Sequence, residues 1–253
     1  KKLLDNETQD ALEWLKNNPQ SSKDKLDSKR EQLYNKVQPT IENAEAKLDL
    51  MNYLNKIRNQ MKSDDSLLNK LSDSDRKRIE NDIDAAIEEL DDRKLQNLST
   101  DQAKQKKNSI ESKVEPAIQK ATELNDLEQF TNDLRDQLND PNIADYISKD
   151  EKKELEKIVD TVQNSMANKK SEDVSMDEIE NQIKKLEEKV LPGIEKAHKR
   201  SDLDTYAENS CEKARDDTDV SKSDKKAVEK STNDALQWSD KNGEYATINQ
   251  IDT

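Results

Sequence analysis

The phrase Val-x-Pro-x-Ile occurs three times, as Val37-Gln38-Pro39-Thr40-Ile41, Val114-Glu115-Pro116-Ala117-Ile118 and Val190-Leu191-Pro192-Gly193-Ile194. The two intervals between its prolines differ by a single position, in a chain of 253 residues that holds only five prolines. A near-constant interval of this length marks a tandem array of one supersecondary unit. Phasing on the prolines gives residues 1–39 as the C-terminal part of one repeat, 40–115 and 116–191 as complete repeats, and 192–253 as a partial, degenerate one. Function must then be sought in the unit and its surface.

Further positions keep the period. Tyr53, Phe130 and Tyr206 reproduce both proline intervals, and Leu50, Leu127 and Leu203 precede them by three. Ile41 and Ala44 match Ile118 and Ala121, then Ile194 and Ala197. Steps of three, four and seven place these residues on one face of a helix that starts at the proline. Proline suits a first turn, where its missing N–H has no helical partner to lose. A second helix is predicted behind Ser72-x-x-Asp75, Ser148-x-x-Glu151 and Ser221-x-x-Asp224, each a capping-box pattern. Ile79, Ile83, Ala86 and Leu90, then Leu155, Val159, Val162 and Met166, follow these caps as apolar stripes. A third helix is predicted from Ser21-x-x-Asp24, Ser99-x-x-Gln102 and Ser175-x-x-Glu178 up to the Val-x-Pro phrase. Polar connectors such as Lys62 to Lys70 join the helices.

The fold expected is all-α, an elongated tandem array of three-helix bundles. One amphipathic helix cannot hide its stripe, but three can, and a repeat of this size suffices for a small bundle. The third helix of each unit ends where the first of the next begins, so a kinked but mostly continuous helix through the proline is expected. In the last repeat Ser210, Thr232 and Ser239 replace apolar residues of the earlier copies, which predicts weaker packing over 218–253.

Composition narrows the function classes. Charged residues make up 40% of the chain and aromatic ones 3%, and glycine occurs twice, which favours narrow helical stripes over sheet or one large core. The formal charge of −14 speaks against a nucleic-acid partner, which calls for a basic stripe. No apolar run is long enough to span a membrane. No signal-peptide pattern stands at Lys1-Lys2-Leu3-Leu4, which falls inside a repeat, so a cut rather than a natural start is expected there. Cys211 is the only cysteine and can form no intrachain disulfide. Asn6-Glu7-Thr8 and Asn97-Leu98-Ser99 fit the glycosylation acceptor pattern. The secretory pathway and the cytoplasm are both compatible with this chain.

Three segments resemble a known module. Ala11-Leu12-Glu13-Trp14-Leu15-Lys16-Asn17-Asn18, followed by a Ser-capped helix and by Leu33-Tyr34-Asn35-Lys36-Val37-Gln38-Pro39, is similar to the C-terminal helical lid of the seventy-kilodalton heat-shock chaperones. Ile147-Ser148-Lys149-Asp150-Glu151-Lys152-Lys153 resembles the same lid, as does Val220-Ser221-Lys222-Ser223-Asp224 with Trp238-Ser239-Asp240-Lys241-Asn242. The Val-x-Pro-x-Ile phrase is closest to the endoplasmic-reticulum members. The resemblance implies a three-helix lid subdomain, which in that family covers a peptide-binding β-sandwich. Here the lid is multiplied, with no ATPase motif, no sandwich segment, and no Glu-Glu-Val-Asp tail at Asn249-Gln250-Ile251-Asp252-Thr253.

No catalytic, metal or cofactor site is expected. His198 and Cys211 align with Glu45 and Thr122, and with Arg58 and Arg135, so neither position carries a fixed chemistry. Acidic pairs such as Glu88-Glu89 and Asp91-Asp92 lack convergent ligand spacing and read as solvated helix faces. Trp14 and Trp238 are candidate interaction anchors, though tryptophan in a small bundle also covers the edge of the core. Pro39, Pro116, Pro192, Tyr53, Phe130 and Tyr206 define the repeat. The partner expected is protein: a client chain, a chaperone or an assembly neighbour. The reading from sequence is thus a non-enzymatic, lid-like interaction array, with a stiff spacer or scaffold as the alternative.

Overall fold

A computed structural model describes residues 2–90, 92–243 and 246–251. Asp91 of the Asp91-Asp92 pair and Asp252-Thr253 of the tail lie outside these residues. Every regular element among the described residues is helical, so the fold is all-α. In chain order the helices are α1 (Lys2–Asn17), α2 (Lys23–Ser63), α3 (Asp65–Lys70), α4 (Asp73–Glu89), α5 (Asp92–Asn97) and α6 (Thr100–Asn139). They continue as α7 (Pro141–Ala144), α8 (Lys149–Met166), α9 (Met176–Lys189), α10 (Leu191–Asp216), α11 (Lys222–Asn242) and α12 (Ile248–Ile251). The chain divides into two compact units, residues 1–119 and 120–253.

Local chemistry sets the helix starts. The hydroxyls of Ser72, Ser148, Ser175 and Ser221 accept from the backbone N–H three residues on, at 3.0, 3.3, 3.1 and 3.1 Å. Ser99 forms the reciprocal box: its hydroxyl accepts from Gln102 N, and its own N–H donates to Gln102 Oε1 at 2.9 Å. Each such cap contributes about 1 kcal/mol. The exception is α2, which is capped one residue later than its Ser21-x-x-Asp24 pattern suggests. Its N-cap is Ser22, whose side chain makes no capping bond. Ser22 stands as far before Pro39 as Ser99 does before Pro116 and Ser175 before Pro192.

The prolines behave in two ways. Pro39 and Pro116 sit inside uninterrupted helices of 41 and 40 residues, α2 and α6. At the third site the helix is re-initiated: Val190 separates α9 from α10, and Pro192 lies in the first turn of α10. There Gly193 N and Ile194 N both donate to Val190 O, at 3.1 and 3.3 Å. A Cβ on Gly193 would lie 2.9 Å from Leu155 Cδ1, so glycine lets the start of α10 approach α8 closely.

In the unit 120–253, one core joins Leu124, Leu127, Leu134 and Leu138 of α6 to Leu155, Val159, Val162 and Met166 of α8, with Ile179 and Leu186 of α9. Ile194 and Ala197 of α10 belong to the same core, and Phe130 packs against it. Each fully buried side chain of this size contributes about 1.5–3 kcal/mol. In the unit 1–119, α2 buries Leu50, Tyr53, Leu54 and Ile57, and α4, packed on α2, buries Ile79 and Ile83.

The structure corrects three further expectations. The connector Lys62 to Lys70 is not simply polar. Asp64 caps α3 by accepting from Leu67 N at 3.0 Å, and α3 buries Leu67 and Lys70. Tyr206 is 73% exposed, whereas Tyr53 in the same register is 8% exposed. Finally, Ala44 is exposed and Ile41 half-buried, while Ala121, Ile194 and Ala197 are buried. For Tyr206 the cause is the neighbour: Tyr53 bonds Glu115 of α6, whereas the only helix after α11 among the described residues is the four-residue α12.

Candidate interaction site

Trp14 lies on α1 one turn before its end, half-buried beside the buried Ala11. Asn18 Nδ2 donates to Trp14 O at 2.9 Å, tying off the last turn of α1. Trp238 repeats this arrangement on α11, where Asn242 Nδ2 donates to Trp238 O at 3.2 Å and the indole is again half-buried. Both tryptophans therefore edge a helix pair, and both stand before an asparagine that satisfies a terminal carbonyl. They belong to different units.

The surroundings of Trp14 favour binding. Lys29 Nζ of α2 stands 5.7 Å from the indole centroid, within cation–π range. Trp14, Asp24, Lys25, Ser28, Lys29 and Gln32 line a groove of about 290 Å³ between α1 and α2. Leu3, Leu12 and Leu15 of α1 and Leu26, Tyr34 and Leu48 of α2 are all 40% or more exposed.

The equivalent groove between α4 and α6, about 430 Å³, is lined instead by charged and small residues, among them Asp82, Glu89, Lys106 and Lys113. Lys106 holds the register of Lys29, two turns past the cap, but reaches Glu89 Oε2 at 2.5 Å. That hydrogen bond, and then the ammonium charge, lowers the Glu89 pKa below the usual carboxylate range. A closed ion pair thus occupies the α4–α6 groove, where the α1–α2 groove presents a half-buried indole beside Lys29.

A second feature, not foreseen in the sequence, is a polar node in the unit 120–253. Arg200 of α10 is 9% exposed and takes the register of the buried Leu124. Its Nη1 donates to Tyr146 O at 2.7 Å and its Nη2 to Ser239 O at 3.1 Å, and the guanidinium lies 5.5 Å from the Tyr146 centroid. Burial, then a hydrogen bond to Asp204, pushes the Tyr146 phenol up to about 12. Arg200 Nε, Asp204 Oδ1 and Ser239 Oγ are buried without a hydrogen-bond partner. A Cβ on Gly243 would collide with Arg200 Nε, so the node also needs that glycine. The sequence signal for the node was Arg200 at a leucine register, together with Thr232 and Ser239 at apolar ones.

The repeat-defining residues are not brought together. Tyr53 OH bonds Glu115 Oε1 at 3.2 Å in one unit, Phe130 borders the core of the other, and Tyr206 faces solvent. His198 is exposed with Nε2 3.2 Å from Gln137 Oε1, and Cys211 is half-buried. Among the described residues no group of His, Cys, Asp or Glu could hold a metal ion, and no helix is long and apolar enough to cross a membrane. No protein-family model, characterised protein or solved structure matches the chain.

Proposed function

We propose that the protein is a non-enzymatic, lid-like tandem helical array that binds exposed apolar segments of other polypeptides, as a client-binding or co-chaperone module. One observation carries this reading: the groove between α1 and α2 lined by Trp14 and Lys29, on two helices whose Leu12, Leu15 and Leu26 are 40% or more exposed. Aromatic and leucine side chains supply sequence-tolerant contact area, and the lysine favours acidic flanks on the bound segment. The resemblance of residues 11–39, 147–153 and 220–242 to chaperone lids points the same way.

The test is aggregation of a chemically denatured client, followed by light scattering, with Trp14→Ala/Leu15→Asp beside the unaltered chain. The unaltered chain is expected to slow aggregation at equimolar ratio, and the double variant to lose most of that protection. No protection of any client, with no chaperone retained in pull-downs, would defeat the reading.

The second reading is a spacer or scaffold built from three-helix repeats. It draws on α2 and α6, which run without interruption through Pro39 and Pro116. Adding or removing one whole repeat should then shift assembly spacing and leave client protection unchanged.

A further inference from the structure

The two glycines of the chain follow different residues: Gly193 stands after Pro192, and Gly243 after Asn242. Asn242-Gly243 is therefore the only asparagine–glycine pair. An asparagine side chain is open to attack by the backbone nitrogen of the residue that follows it. Glycine has no Cβ to crowd that nitrogen, so it is the most permissive residue in that place.

The pair closes α11, with Asn242 exposed to water and Gly243 buried. Asn242 Nδ2 donates to Trp238 O at 3.2 Å, which ties the amide to the preceding turn. Gly243 N donates to Ser239 O at 2.9 Å, so the nucleophile is engaged, and Ala246 N donates to Asn242 O at 2.9 Å. Arg200 lies against Gly243, where an added Cβ would collide with its Nε, and its Nη2 donates to the same Ser239 O. Ser239 O thus couples the guanidinium to the glycine nitrogen. Ring closure requires Asn242 to leave its helical ψ, and that move breaks the bonds of the last turn.

We propose that Asn242-Gly243 is a deamidation site gated by the Arg200 node, closed while α11 is docked and converted once its last turn opens. In the open turn the Gly243 nitrogen gives up its proton and bonds to Asn242 Cγ. The Cγ–Nδ2 bond breaks, and ammonia leaves with that proton. Water then opens the cyclic imide. Cleavage of the new Cγ–N bond leaves aspartate at position 242. Cleavage of the original backbone C–N bond leaves isoaspartate, whose main chain runs through Cβ and Cγ and is longer by a carbon. Nothing is oxidised or reduced.

Neither product restores the turn. Aspartate has no donor for Trp238 O and sets a carboxylate at a helix C-terminus, where the dipole disfavours it. Isoaspartate carries Gly243 away from Ser239 O and from Arg200. A transient opening of α11 is thereby recorded as a permanent added charge. The α10–α11 pair is suited to such openings, because Arg200 Nε and Ser239 Oγ are buried without partners. The site goes beyond the client-binding reading and is independent of Trp14.

The test follows Asn242 in the full chain by peptide mass spectrometry, under native conditions and in concentrated urea. In urea Asn242 is expected to convert well ahead of Asn108, Asn164 and Asn209, which precede serine. Under native conditions it should convert about tenfold more slowly or less, because only the opened fraction reacts. Arg200→Ala should raise the native rate about tenfold by removing buried charged hydrogen bonds, and leave the rate in urea unchanged. In the unaltered chain, urea short of the circular-dichroism transition should already speed conversion, a readout that needs no variant to fold. Equal rates in native buffer and urea, or no conversion at Asn242 in urea, would overturn the proposal. So would a native rate indifferent both to Arg200→Ala and to urea below the transition.

Discussion

The second half of α6 and the bulk of α10 hold the same register, counted from Pro116 and Pro192, yet their neighbours differ in kind. Leu124, Leu134, Val159 and Met166 become Arg200, Ser210, Thr232 and Ser239. All four residues of the first set are buried, and in the second Arg200, Thr232 and Ser239 are buried too, so polarity has entered a core without leaving it. Thr232 meets the demand by donating to Ala207 O at 3.4 Å, whereas Ser239 Oγ stays unpartnered. A buried hydroxyl without a partner costs about 1–3 kcal/mol. One architecture thus tolerates two solutions, apolar interdigitation and a hydrogen-bonded guanidinium. The second is more geometrically exacting and gains less from burial.

The sharpest way to break this comparison is to delete the same position in each region. Leu134→Ala should cost about 2–5 kcal/mol in urea unfolding, because the side chain is wholly buried. Ser210→Ala, in the same register, should shift stability by less than about 0.5 kcal/mol. Equal losses at the two sites would mean that the α10–α11 pair carries a core as demanding as that of α6, α8 and α9.

Next in size is Gly243→Ala. The added methyl would press on Arg200 Nε, and the arginine cannot swing away without releasing Tyr146 O and Ser239 O. A loss of about 1–3 kcal/mol is expected, read from Trp238 emission in a Trp14→Phe background. An unchanged midpoint would show that the guanidinium is not held where the node requires it.

The smallest expected effect depends on pH. Folded Tyr146 titrates near 12, while an unfolded tyrosine titrates near 10. The folded state then holds its proton longer, so stability is full below about pH 10 and falls as pH rises toward 12. Tyr146→Phe should flatten that decline in urea midpoints, without abolishing it. Tyr53, in the other unit, is also raised, by burial and then by Glu115, and keeps part of the slope. Identical slopes before and after the substitution would remove Asp204 and burial as controls on this phenol.

Much of this was legible in the residues alone, and the boundary is instructive. Ser72, Ser148, Ser175 and Ser221 were readable as caps because a cap bonds within three residues of itself. The stripes of α4 and α8 were readable because burial there follows helical period. Tyr206 was not, because its exposure is decided by a helix elsewhere in the sequence. Arg200 was not either: an isolated arginine in a charged helix resembles a solvated one until its register with Leu124 is counted. Asp64 and Thr247 carried ordinary capping signals, but the helices they start have six and four residues, too short to show a period.

The intervals from Ser22, Ser99 and Ser175 to their prolines are identical, and so are those from each proline to its aromatic at Tyr53, Phe130 or Tyr206. Variation collects instead in the stretch from proline to the next capping serine, at Ser72, Ser148 and Ser221. That stretch shortens by one position and then by three along the chain, and it contains the links after α2, α6 and α10. One residue gained or lost inside α6 would turn everything beyond it by about 100° about the helix axis and misalign each stripe. The same change in a link is absorbed by a turn. Changes of one or two residues in length are therefore tolerated in the links after α2, α6 and α10 and not within α2 or α6.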